Sequence, residues 1–138
     1  MVNTQKNRKS ENKTNDPVNL RRIESDVTDA FENIIFLWKN GKYDALYECG
    51  SLKSCKHVSK EDFEKRMAKQ SWELATSWET VRKIQVSVKN STLAYVTATI
   101  GYKPKTGGEP RFQTKTYEMR FEKNVWRIGL EKLLHFPK

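Results

Sequence analysis

"NSTLAYVTATIGY", residues 90–102, decides how this chain folds. After the turn-forming pair Asn90 and Ser91, side chains alternate strictly: Val96, Ala98 and Ile100 fall on one face, Tyr95, Thr97 and Thr99 on the other. A period of two with small polar residues at its start marks a half-buried strand leaving a tight turn. Residues 78–89, with Val81, Ile84, Val86 and Val88, form the strand entering that turn. Downstream, "PKTGGEP" at 104–110 is a loop by composition, and residues 112–121 alternate again through Tyr117, Met119 and Phe121. After "EKN", residues 125–133 carry Trp126, Ile128 and Leu130 in the same rhythm. Four successive strands joined by short connections form an antiparallel meander.

Upstream of residue 76 the period is that of a helix. Asp16 before Pro17 is a helix start, because proline at the first helical position gives up a donor that has no partner anyway. Leu20, Ile23, Val27, Phe31, Ile34 and Trp38 then recur at steps of three and four, widened by Ala30 and Leu37, until Asn40 and Gly41 stop the helix. A short second helix spans 42–49 with Tyr43, Leu46 and Tyr47 on one side, and Gly50 ends it. "SKED" at 59–62 opens a third helix marked by Phe63, Met67, Gln70 and Leu74. Helices first and strands after give an α+β class: a long N-terminal helix and two shorter ones against one face of a four-stranded antiparallel sheet.

The 138 residues fit one domain, expected over 17–138. Residues 1–16 hold one aliphatic residue beyond the initiator, Val2, and are expected to form a disordered polar, basic tail. No apolar run suggests a signal peptide or membrane span. The formal charge of +9 is partly concentrated: residues 1–22 carry six basic against two acidic residues, leaving a mildly basic remainder. Its cations alternate with apolar residues, which fits a solvated sheet better than a phosphate track, so no specific nucleic-acid partner is expected. Anionic lipid or nucleic acid could be attracted only through the tail, with steep salt dependence. "TGG" at 106–108 lacks the lysine and helix of a phosphate cradle. Cys49 and Cys55, six positions apart, leave two alternatives open, a local disulfide or two free thiols. His57 alone cannot complete a zinc site beside them, and neither metal nor cofactor is expected.

The order of elements, with "NGKYDALYECGS" (40–51), "SKEDFEKRM" (59–67) and "NVWRIGLEKL" (124–133), resembles the nuclear transport factor 2-like superfamily, which has a cystatin-like fold. The resemblance covers residues 18–134. It implies that the sheet is strongly bent into a cone-shaped roll holding the first helix in its concave face. It also implies a homodimer formed through the sheet, and a bacterial protein exported to or tethered at the cell envelope, with the cytoplasm as the alternative. On that plan Trp38, Tyr43 and Tyr47 sit at the wide end, either rimming a ligand cavity or plugging the cone as core.

Enzymes of that superfamily place an acid or base inside the cone, where burial can move its pKa toward neutrality. The alternation turns Val96, Ala98, Ile100, Tyr117, Met119, Trp126, Ile128 and Leu130 inward, with no Asp or His among them. A register slipped by one residue would instead turn Tyr95, Thr97, Thr99, Glu118 and Arg120 inward, making Glu118 the one available base. The expectation is therefore a non-catalytic binding or assembly module. It would hold a small apolar ligand among Trp38, Tyr43, Tyr47, Val96, Ile100, Tyr117, Met119 and Trp126, or a protein partner on its sheet. The alternative is a small isomerase or dehydratase built on Glu118.

Overall fold

The computed structural model describes residues 17–75 and 80–138. The tail expected over 1–16 and the strand start expected at Trp78 lie outside them. Ten elements follow in order: α1 (Pro17–Lys39), α2 (Tyr43–Tyr47), α3 (Leu52–His57), α4 (Lys60–Ala68), β1 (Trp72–Leu74), β2 (Val81–Asn90), β3 (Leu93–Pro104), β4 (Arg111–Glu122), β5 (Val125–Ile128) and α5 (Leu130–His135). The fold is the expected α+β roll, a strongly curled antiparallel sheet wrapped around helices.

Two boundaries differ from the sequence reading, and β1, α3 and α5 are additional to it, so the described residues form five strands and five helices instead of four and three. The third helix ends at Ala68, and Leu74, expected to continue its apolar stripe, belongs to β1. The last strand ends at Ile128, where Gly129 admits a turn and Leu130 begins α5. Helix α3 was not anticipated. It is set by Ser51, whose side chain accepts a hydrogen bond from the Ser54 N–H at the helix start.

Twelve-residue β3 organises the sheet. One side pairs with β4 from Leu93 to Tyr102. The other is shared: β2 pairs as far as Ile100, and β1 takes over from Tyr102. The handover occurs at Gly101, whose N–H donates to the Thr80 carbonyl and whose carbonyl accepts from the Ala75 N–H. The β4–β5 hairpin closes through Lys123 and Asn124, both at positive φ (52° and 66°), the paired left-handed geometry that matches the natural twist of two strands.

Helix α1 crosses the concave face and buries Ile23, Val27, Phe31, Ile34, Ile35 and Trp38. The register is the expected one: Val96, Ala98, Ile100, Tyr117, Met119, Trp126, Ile128 and Leu130 are all buried against the helices. At one end Trp38, Trp72, Tyr102 and Phe136 interlock edge to face at centroid separations of 5.2 to 6.1 Å. Phe136, just beyond α5, touches the other three rings.

The two sheet borders differ. At β5, the Ser51 N–H donates to the Ile128 carbonyl at 2.8 Å, the Ile128 N–H donates to the Cys49 carbonyl at 2.9 Å, and Gly50 bridges Ile128 in parallel. At the opposite border, β2 pairs only with β3 among the described residues. Its register shifts at both ends, between Val81 and Lys83 and between Val88 and Asn90.

Candidate functional site

The interior residues named from the sequence form a packed core. Val96, Ile100, Tyr117 and Met119 are each 0% exposed, Trp38 4% and Trp126 6%. Trp38 therefore plugs the cone within its aromatic cluster. Tyr47 has a structural duty: its hydroxyl lies 2.8 Å from the Val58 carbonyl and 3.1 Å from that of Cys55, so its one proton tethers the end of α3. Tyr43 is half-buried beside Asp44, Lys60 and Glu64, lining a groove of about 670 Å³ between α2 and α4. Burial, reinforced by Glu73, pushes its hydroxyl pKa up.

Other depressions also lie outside the cone. Two, of about 330 and 530 Å³, run between α1 and β2 past Glu32, Ile35 and Ile84 and past Thr28, Asp29 and Val86. A smaller one, about 180 Å³, sits beside Phe121 and Trp126. None of these four is lined by Val96, Ile100, Tyr117 or Met119.

One interior group is chemically anomalous. The Tyr117 hydroxyl is buried and has no hydrogen-bond partner among the described residues, while its ring tilts against Phe31 at 5.5 Å. Burial drives its pKa far above the usual tyrosine range.

Glu118 lies on the opposite face, so the slipped register that would make it an interior base is not adopted. Its carboxylate accepts a 2.9 Å charge-assisted bond from Arg120 Nη2, with the two side chains 42% and 41% exposed. His57 and His135 are exposed in the last turns of α3 and α5. Of the two alternatives left open for Cys49 and Cys55, the structure holds free thiols. Cys55 Sγ faces the carbonyls of Tyr47 and Gly50, each at 3.8 Å, and burial raises the Cys49 pKa.

The outer sheet face concentrates the accessible chemistry. Tyr95, Thr97 and Thr99 on β3 stand opposite Glu118, Thr116 and Thr114 on β4. The threonine pairs bond hydroxyl to hydroxyl at 2.9 Å (Thr97 and Thr116) and 2.8 Å (Thr99 and Thr114). Gly101 has no side chain to project between Phe112 and β2, and there Arg82, the extra residue of the β2 bulge, lies over the Phe112 ring at 3.7 Å. Lys89 is 6.0 Å from the Tyr95 ring centre. At the far side Arg120 stands directly opposite Arg127 across β4 and β5.

No protein-family model matches the chain, and no curated protein matches it. The outer face is the sheet surface on which the sequence led us to expect a protein partner, but its paired arginines and ring-stacked cations were not foreseen. The signal that could have found the latter was the short run from Arg82 to Lys89, whose cations fall where a strand alternates outward.

Proposed function

We infer that this chain is a non-catalytic binding module that receives a protein partner on the outer face of its curled sheet. The observation that carries this reading is the pairing of partly exposed rings with cations, Phe112 under Arg82 and Tyr95 near Lys89, around the threonine ladder. Arginine and aromatic side chains are enriched in protein-binding patches because each carries much contact area, and here Arg82 is already held over the Phe112 ring.

The partner is not a second copy of the same face. Six cations (Arg82, Lys83, Lys89, Lys103, Arg120 and Arg127) share that face with three carboxylates, those of Glu73, Glu118 and Glu122, so two copies would oppose like charge. That charge balance favours a different protein as partner over the homodimer implied by the superfamily resemblance.

The test is a photo-crosslinking amino acid placed at Thr97 or Thr116, and at Asp29 on α1 as the comparison. Outer-face positions are expected to give one adduct of fixed size and Asp29 none. Adducts from Asp29 alone would sink the reading, and one at twice the 16.2 kDa chain mass would make the partner a second copy.

A second reading, a small apolar ligand that enters the cone by displacing packed side chains, is favoured by the Tyr117 hydroxyl, which lacks a partner among the described residues and would donate to one polar atom of such a ligand. Apolar ketones that raise the melting temperature of the wild type and leave Tyr117→Phe unmoved would establish it.

A further inference from the structure

We propose that Arg120 and Arg127 form the seat for a carboxylate of the partner, so that the outer face selects an acidic protein surface. The inference rests on the outer-face reading above and names the chemistry of what docks there.

Arg120 and Arg127 are direct cross-strand neighbours. Side chains so placed stand close enough to interact, and like charges there repel. Neighbouring acids do not neutralise both. Arg120 has Glu118. Arg127 spends its bonds on neutral carbonyls, Nη1 on that of Glu48 at 2.8 Å and Nε on that of Glu122 at 3.2 Å. The carboxylates of those two residues are committed elsewhere: Glu48 pairs with Lys60 at 2.9 Å, and Glu122 accepts from the Leu52 N–H at 2.9 Å. The carbonyl bonds fix the Arg127 guanidinium without cancelling its charge. The remaining N–H groups of both arginines have no acceptor among the described residues.

Two arginines at paired strand positions, one with its guanidinium anchored by main-chain carbonyls, offer a carboxylate both the charge and the forked donors it needs. Leu93 stands beside Arg120 on β3, and exposed Val125 follows Glu122 across the hairpin, so the seat has an apolar border that helps exclude water. The other cations of the face extend the positive field toward β2 and would orient an acidic partner before contact.

The experiment titrates the intact chain with a synthetic peptide of alternating glutamate and valine, following backbone amides and the arginine Nε–Hε signals by nuclear magnetic resonance. Shifts are expected to centre on Arg120 and Arg127. Binding should weaken roughly tenfold in the double variant Arg120→Gln/Arg127→Gln, the loss of about one good charged contact. The charge-matched Lys83→Gln/Lys89→Gln, which removes steering charge and leaves the seat, should weaken it by only about twofold. Melting temperatures of both variants check that the fold survives.

Equal weakening in the two variants, with shifts spread toward β2, overturns the arginine seat and leaves the outer-face reading standing. Shifts confined to the helices overturn both. If the peptide fails while phosphatidylglycerol vesicles or an oligonucleotide bind through the arginine pair, the partner is not an acidic protein and the proposal falls.

Discussion

Tyr117 shows how one atom can carry information that its surroundings lack. Its ring belongs to the core, packed against Phe31, while its hydroxyl has been taken from water with no compensating bond among the described residues. Such a burial costs about 1–3 kcal/mol. Tyr117→Phe keeps the ring and removes the orphan, so urea unfolding should show stability unchanged or raised by about 1 kcal/mol. A loss of that size would mean that the hydroxyl has a partner in solution.

The same residue predicts alkaline behaviour. Its folded pKa lies above the unfolded value, so above the unfolded pKa the unfolded chain releases a proton that the folded chain retains. Stability is then full below about pH 10 and falls as pH rises, by up to about 1.4 kcal/mol per pH unit from this group alone. Comparing wild type with Tyr117→Phe at pH 9 and 11 isolates that share from the other tyrosines. Nothing in the sequence singled out this hydroxyl. Alternation turned Tyr117 inward, but whether a carbonyl lay within reach depended on packing.

At the scale of elements, legibility followed length and period. Helix α1 and strands β2 to β4 repeat their pattern often enough for one face to be read, and their register came out as expected because a slip would have buried Glu118 and Arg120. Short elements offered too few repeats. Leu74 falls on the helical spacing of Phe63 and Met67, so β1 was absorbed into α4. Leu130 continues the alternation of Trp126 and Ile128 by coincidence, since Leu130 and Leu133 also fit a helical turn. The segment 49–51 shows what such pieces do, because it satisfies β5 while Gly50 lets Leu130 approach. A Cβ at position 50 would lie 2.6 to 2.9 Å from three side-chain carbons of the fully buried Leu130. Gly50→Ala should therefore cost about 1–3 kcal/mol, read as a lower melting temperature. Leu130→Ala in the same background should recover part of that penalty if crowding is the cause.

Across the whole molecule, the cone is closed by residues from its two ends. Phe136 joins Trp38, Trp72 and Tyr102, binding the C-terminal segment to α1, β1 and β3. Phe136→Ala should cost about 3–5 kcal/mol in chemical denaturation, as for other buried aromatic truncations. A near-neutral result would mean that the cluster is decorative. The sequence placed Trp38 at this end but could not choose between rim and plug, because that depended on Phe136, nearly a hundred positions away. The interaction surface was still less legible, since a solvated strand and a docking strand share the same alternation. What separates them is the company kept across strands: arginine opposite arginine, and cations over rings. The unequal borders of the sheet carry a last consequence. A ribbon of stacked molecules needs two adhesive margins on every subunit, and here the clasp at 49–51 occupies one of them. Among the described residues only the β2 margin is left for strand pairing, so lateral growth by that route would join two molecules and would not extend into a filament.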